Sequence, residues 1–225
     1  MLVSVAAMWL FVTRIAVSTA AALIGAIVLT FSRAFVEFST SGLENPLTHL
    51  LLAIFFVLYW HPNLAHRLTV LWLVTALIMV NRIDAGLLVL PAALVRAYRT
   101  GWLEGAKAAA IGVIPLVAWE LFSIVYYGFP FPNTAYAKLS TGIPPGEVVS
   151  QGFAFLLNSA ANDPLTLLAM GVFVSVALAT GARVSWPIAF GIVLYVVYVV
   201  RVGGDFMSGR FLSAPLFCAA ALFAR

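Results

Sequence analysis

Charged side chains are too scarce in this chain to surround a water-soluble core. They make up 9% of the 225 residues, whereas 64% of the residues are hydrophobic. In an average soluble domain about 25% of the residues are charged and about 45–50% are hydrophobic. These proportions exclude a soluble globular protein, because too little polar surface is available to cover the apolar side chains. Inside a lipid bilayer the backbone must satisfy its own hydrogen bonds. The long apolar runs therefore predict an all-α, polytopic transmembrane helix bundle.

Apolar runs separated by polar residues mark the candidate membrane segments. A spanning helix needs about 20 apolar residues, so a chain of this length holds about seven to nine segments in a single transmembrane domain, residues 1–225. Because the first and last runs have no polar flank, we expect the chain to be a fragment of a longer protein. The runs cover residues 2–12, 15–36, 44–60, 68–80, 83–98, 108–127, 164–180, 186–200 and 211–224.

The distribution of charge predicts how the segments are oriented. Basic residues collect in the short cytoplasmic loops of membrane proteins, so the net charge of +4 indicates orientation and not a nucleic-acid partner. We place the connection around Arg96, Arg99 and Lys107 in the cytoplasm. Residues 128–163 then form an extracytoplasmic loop with a short interfacial helix over 147–158. The same alternation places most acidic residues outside, namely Glu37, Glu44, Asp84, Glu147, Asp163 and Asp205.

Polar residues at the outer ends of the segments form a candidate site. Arg82 and Asp84 interrupt a long apolar stretch, and charges near a membrane are costly unless they are paired or used. The two residues either pair with each other or bind a phosphate, for which the forked guanidinium group is suited. Lys138, Arg201 and Arg210 would add positive charge to the same site.

Two carboxylates have both a functional and a structural interpretation. Glu120 lies within the apolar run 108–127, so it is either functional or paired inside the bundle. Asp205 either acts on a substrate or pairs with Arg201 or Arg210. The histidines lack the spacing of zinc ligands, and the sequence contains no nucleotide-binding loop.

Four segments occur together in an order that is typical of one class of membrane enzyme. They are Ser-Gly-Leu-Glu at 41–44, Arg-Ile-Asp at 82–84, Pro-Asn-Thr-Ala-Tyr-Ala-Lys at 132–138, and Gly-Gly-Asp-Phe-Met-Ser-Gly-Arg-Phe at 203–211. In these segments the chain resembles bacterial polytopic glycosyltransferases of the GT-C class. It resembles in particular the terminal arabinofuranosyltransferases of mycobacterial-type cell walls, from about Arg14 to Arg225.

The resemblance implies a multi-pass enzyme of the bacterial plasma membrane with an extracytoplasmic active face. It would transfer a sugar such as arabinofuranose from a polyprenyl-phosphate donor to a glycan acceptor of the cell envelope. The family's acidic catalytic base is expected upstream of Met1, with Asp205 and Glu44 in support, so the fragment alone is expected to be inactive. A divalent metal ion is left open. Substrate contacts are predicted at Arg82, Asp84, Glu120, Asn133, Tyr136, Lys138, Arg201 and Arg210.

Two other functions stay open at the level of sequence. A multi-span transporter subunit is also a helix bundle, although its charges should lie near the middle of the membrane at broken helices. Here they collect at one face. The chain is alternatively an inactive, truncated membrane protein. Sugar transfer and transport differ in one testable respect, because only transport needs a sealed compartment.

Overall fold

The computed structural model describes residues 1–60, 67–130 and 142–225. Within these ranges the chain forms twelve α-helices and no β-strand, which confirms the predicted all-α bundle. A π-helical turn, Phe11–Ile15, follows the first helix. The helices are α1 (Leu2–Leu10), α2 (Thr19–Phe31), α3 (Arg33–Thr40), α4 (Asn45–Trp60), α5 (Leu68–Asn81), α6 (Gly86–Thr100), α7 (Trp102–Gly112), α8 (Ile114–Tyr127), α9 (Pro145–Asn162), α10 (Pro164–Ala179), α11 (Ser185–Arg201) and α12 (Ser213–Phe223).

Two of the predicted apolar runs are each divided into two helices. The run 15–36 breaks at Ser32, whose extended backbone turns α3 by 73° from α2. The Ser32 hydroxyl accepts a hydrogen bond from the N–H of Phe35 and so caps α3. The run 108–127 contains the end of α7 and all of α8, which are bent by 45° from each other, with Pro115 in the first turn of α8. The second bend lies in continuous apolar sequence, so hydropathy does not reveal it. The first bend lies at Ser32 and Arg33, two polar residues within the predicted run.

The helix α9 includes the residues of the predicted interfacial helix and packs onto α11. A Cβ atom at Gly152 would lie 2.1 Å from the carbonyl oxygen of Val200, so the two backbones are in direct contact. At Asp163 the chain turns by 103° into α10. The Asp163 carboxylate accepts a hydrogen bond from the N–H of Thr166 and caps the new helix.

Membrane-spanning length is reached only by combining helices. In the described ranges no single helix is long and apolar enough to cross a membrane. Three bent pairs satisfy the length and composition together: α2 with α3, α7 with α8, and α9 with α10.

The most buried helix of the bundle is α12, in which every residue from 213 to 222 is buried. It packs against α10, α11, α2, α4 and α3. A run of alanines at residues 219–221 keeps its surface narrow, so these neighbours approach closely. The polar loop that precedes α12 is therefore anchored directly to the core.

A close approach between α6 and α11 gives the first test of this packing. A Cβ atom at Gly191 would lie 2.5 Å from the backbone oxygen of Leu88, whereas one at Gly171 in α10 would meet nothing within 4 Å. We expect Gly191→Ala to lower the free energy of unfolding by about 1–3 kcal/mol through overpacking. The matched change Gly171→Ala should be neutral or slightly stabilising. Equal melting temperatures for the two variants would contradict the α6–α11 contact.

Candidate functional site

Charged side chains from three helix junctions meet at one end of the bundle. The junction of α3 and α4 supplies Glu44, and the junction of α5 and α6 supplies Arg82 and Asp84. The loop 202–212 between α11 and α12 supplies Asp205 and Arg210. We call these five residues the ion-pair cluster. All five are among the site residues predicted from the sequence, and the structure brings them together.

Arg82 is deeply enclosed, with 5% of its side chain exposed. Its Nη2 and Nε atoms lie 2.5 and 3.3 Å from the two carboxylate oxygens of Asp84. Nη1 donates to Oδ1 of Asn45 at 2.7 Å, and Nη2 also donates to the hydroxyl of Tyr195 at 2.8 Å. These bonds use four of the five N–H groups of a guanidinium. The sequence left open whether Arg82 pairs with Asp84 or binds a phosphate. In the structure Arg82 pairs with Asp84.

The helix ends are built to hold this arginine in place. The backbone of Arg82 is extended, and its N–H donates to the carbonyl of Ile78, which ends α5. The preceding Asn81 donates to the hydroxyl of Thr48 at 2.8 Å and to the carbonyl of Glu44 at 3.2 Å. Asn81 therefore ties the end of α5 to the start of α4.

Arg210 links the remaining two carboxylates. Its Nη2 lies 2.8 Å from Oε1 of Glu44, and its Nη1 lies 3.2 Å from Oδ2 of Asp205. The structure pairs Asp205 with Arg210, while Arg201 is exposed in the last turn of α11. Arg82 also approaches Glu44, at 3.8 Å, so this carboxylate lies between two guanidinium groups.

The ionisation of the cluster follows from these contacts. Burial alone would raise the pKa of Glu44, but the hydrogen bond from Arg210 and the nearby charge of Arg82 hold that pKa below its ordinary value. Burial alone would lower the pKa of Arg82, but the Tyr195 hydroxyl and the carboxylates of Asp84 and Glu44 outweigh burial and raise that pKa. Both groups are therefore charged at neutral pH.

The loop 202–212 packs closely because of its glycines. Gly204 has a φ of +73°, and a Cβ atom there would lie 2.4 Å from the ring of Phe155 in α9. Gly209 has a φ of +82°, and its Cβ would lie 2.9 Å from that of Ala34 in α3. Only glycine combines this backbone with this proximity. The loop is thereby held between α3 and α9.

A cavity of about 380 Å³ opens beside this loop, within the usual size range of small-molecule sites. The Oγ of Ser159 is buried and has no hydrogen-bond partner among the described residues. Asp163 accepts bonds from the N–H of Ala34 and the hydroxyl of Thr166, which fixes its carboxylate. The lining is Arg33, Ala34, Glu37, Phe38, Ser159, Asn162, Asp163, Thr166, Met207, Ser208, Gly209 and Leu212.

Some predicted site residues lie elsewhere. Glu120 is half-buried in α8, which packs on α5 and α7, and it forms no ion pair with the described members of the cluster. Asn133, Tyr136 and Lys138 fall outside the described residues. Among the residues that are described, no three His, Cys, Asp or Glu side chains are placed to hold a metal ion.

Tyr195, Ser159 and Asn162 were not predicted from the sequence as site residues. Tyr195 lies 113 positions from Arg82, inside an apolar helix. A buried tyrosine hydroxyl needs a partner, which is the one signal that could have singled it out. Nothing in the local sequence distinguishes it from Tyr198 one turn later.

Together these features define an all-α bundle with an ion-paired polar site and a cavity at one end. Its sequence is similar to that of a terminal beta-(1->2)-arabinofuranosyltransferase of Mycobacterium tuberculosis, at 33% identity, and of Corynebacterium glutamicum, at 31%. This similarity confirms the resemblance to terminal arabinofuranosyltransferases, over about half of the chain and not over the whole predicted range 14–225. Each match covers 48% of this chain but only 20% and 18% of the two relatives. No family model and no solved structure matches the chain.

The burial of Arg82 predicts a large effect on stability. Arg82→Gln would leave Asp84 charged and short of its partner, at a cost of about 3–5 kcal/mol. The control is Arg33→Gln, because Arg33 forms an exposed ion pair with Glu37 and such pairs contribute about 0–1 kcal/mol. Thermal unfolding of the purified variants measures both. A small and equal loss in the two variants would show that Arg82 does not hold the junctions together.

The lowered pKa of Glu44 predicts acid sensitivity. A carboxylate whose folded pKa lies below its unfolded pKa stabilises the fold above the unfolded value and loses this contribution as the pH falls through the folded value. The melting temperature should therefore fall more steeply below about pH 4.5 in the wild type than in Glu44→Gln. Removing the hydrogen-bond donor by Arg210→Gln should reduce the same acid-dependent loss. If the melting temperature depended on pH identically in all three proteins, the lowered pKa of Glu44 would be contradicted.

Proposed function

We propose that this chain forms part of a membrane-embedded glycosyltransferase of the bacterial plasma membrane. The enzyme would pass a sugar from a polyprenyl-phosphate donor to a cell-envelope glycan on the extracytoplasmic side. The observation that carries this proposal is the single loop, 202–212, that joins the ion-pair cluster to the cavity. Similarity to arabinofuranosyltransferases supports arabinofuranose as the sugar. The charge bias of the loops supports the orientation.

The cavity has the chemistry of a sugar site. Asn162 and Asp163 offer amide and carboxylate groups that bind hydroxyls, and Phe38 offers an apolar surface for the C–H face of a sugar ring. A buried polar atom without a partner is costly, so the Ser159 hydroxyl favours a ligand that supplies one. A sugar hydroxyl would complete its hydrogen bonding.

The two arginines have different roles in this proposal. Arg82 is almost fully enclosed and most of its N–H groups are engaged, so it is a positioning residue that orients Asp84 and Tyr195. Arg210 keeps 26% of its side chain exposed. Its Nε is buried and has no hydrogen-bond partner among the described residues, so a ligand at this position would have to approach closely. Arg210 is therefore the arginine that we assign to the donor phosphate, through a charge-assisted hydrogen bond.

The carboxylates held by Arg210 would act on the acceptor. In sugar transfer the acceptor oxygen bonds to the anomeric carbon, the phosphate leaves with the bonding electrons, and the hydroxyl proton passes to a base. Glu44 and Asp205 share Arg210, so a phosphate that binds this arginine would compete with them. One carboxylate would then be released to accept a hydrogen bond from the acceptor hydroxyl.

The test is sugar transfer by the complete gene product in detergent, with a polyprenyl-phosphate sugar and an added glycan acceptor. Asp205→Asn should lower the transfer rate about ten- to a hundredfold, because a charge-assisted hydrogen bond contributes about 1.5–3 kcal/mol. The matched control is Glu104→Gln, an exposed carboxylate paired with Lys107, which should transfer normally. Similar melting temperatures in the two variants would separate lost chemistry from lost folding.

Detergent leaves no sealed compartment, so a transporter gives no product in this assay. A complete protein that forms no product there, yet moves substrate across sealed vesicles in an Asp205-dependent way, would overturn the glycosyltransferase proposal. Loss of activity in Asp205→Asn that parallels its loss of folded protein would instead give Asp205 a structural role.

A further inference from the structure

A second cavity, of about 540 Å³, lies at the other end of the same helices. The helix α4 begins at the ion-pair cluster with Asn45 and reaches this cavity with Tyr59 and Trp60. Its 16 residues span about 24 Å at 1.5 Å per residue. The helices α6, α11 and α12 likewise connect the two ends. This cavity is therefore separate from the proposed active site.

The second cavity is lined by positive charge. Its charged residues are Arg96, Arg99 and Arg225, and none of the described residues that line it is acidic. The guanidinium of Arg225 lies 5.9 Å from the ring centre of Trp60. No described carboxylate lies within ion-pair distance of Arg96 or Arg99, whereas each arginine of the ion-pair cluster has a carboxylate partner. We call this site the arginine cavity.

The walls of the arginine cavity add donors and apolar surface. Ser185, the first residue of α11, lines the cavity and brings a hydroxyl group to it. Val95, Val176 and Phe223 form an apolar wall. The site thus offers several anion donors next to a surface that suits hydrocarbon.

Helix dipoles account for only part of the positive charge. A helix C-terminus carries about half an elementary negative charge, and its effect fades within the last turn. Arg99 lies in the last turn of α6, but Arg96 lies one turn earlier and faces the same cavity. The two guanidinium groups together exceed what the end of α6 requires.

We propose that the arginine cavity binds a phosphate group, carried by an anionic lipid headgroup or by a soluble phosphate ester. Arg96 and Arg99 would supply charge-assisted hydrogen bonds, and the Ser185 hydroxyl would supply a further donor. The two sites share no lining residue, so binding here can be measured separately from sugar transfer at the opposite end.

The experiment compares the full chain with the double variant Arg96→Gln/Arg99→Gln. A matched control, Lys107→Gln/Arg183→Gln, removes two exposed positive charges that do not line the cavity. One arm measures phosphatidylglycerol binding in nanodiscs of phosphatidylcholine by native mass spectrometry. The other arm measures the thermal stabilisation of detergent-purified protein by inorganic phosphate.

A lipid source predicts that the wild type and the control retain phosphatidylglycerol, and that the double variant loses it at least tenfold. A soluble source predicts stabilisation by inorganic phosphate in the same two proteins, without preference for phosphatidylglycerol. The single variant Arg99→Gln, at an exposed position, should shift in the same direction and serves if the double variant does not fold. Equal binding by the double variant and the control in both arms would overturn the proposal.

Discussion

The site end of this protein depends on one buried cation, Arg82. Removing a guanidinium from water costs several kcal/mol and is offset only when its hydrogen bonds are satisfied. Its partners come from separate elements: Asp84 precedes α6, Asn45 begins α4 and Tyr195 lies in α11. Satisfying this single charge therefore fixes three helices relative to one another. Apolar packing alone allows the helices several relative positions. The hydrogen bonds of Arg82 select one of them and so fix the geometry of the candidate site.

The loop 202–212 is positioned by contacts that lead from Arg82 through Glu44 and Arg210. Glu44 lies between Arg82 and Arg210, so the buried arginine and the partly exposed one are linked through one carboxylate. Arg210 in turn holds Asp205, and the loop glycines allow the chain to pack against α3 and α9. The same loop forms one wall of the first cavity. A ligand in that cavity and an anion at Arg210 would therefore influence each other over a short, rigid connection.

The two ends of the bundle have opposite electrostatic designs. At the site end, the arginines of the cluster are balanced by carboxylates. At the other end, Arg96 and Arg99 face a cavity without an acidic residue among its described lining. A balanced cluster maintains geometry and releases charge only when a ligand competes for it. An unbalanced one attracts anions directly.

The sequence by itself determined the fold class and most helix positions. Scarce charge and long apolar runs required an all-α bundle, and the predicted runs 68–80 and 186–200 agree closely with α5 and α11. The breaks at Ser32 and Val113 and the exclusion of Glu120 from the cluster were decided only by tertiary structure. So was the meeting of Tyr195 with Arg82, across 113 positions of chain. Hydropathy is a local property that predicts which residues leave water, whereas a buried charge finds its partners only where helices distant in sequence pack together.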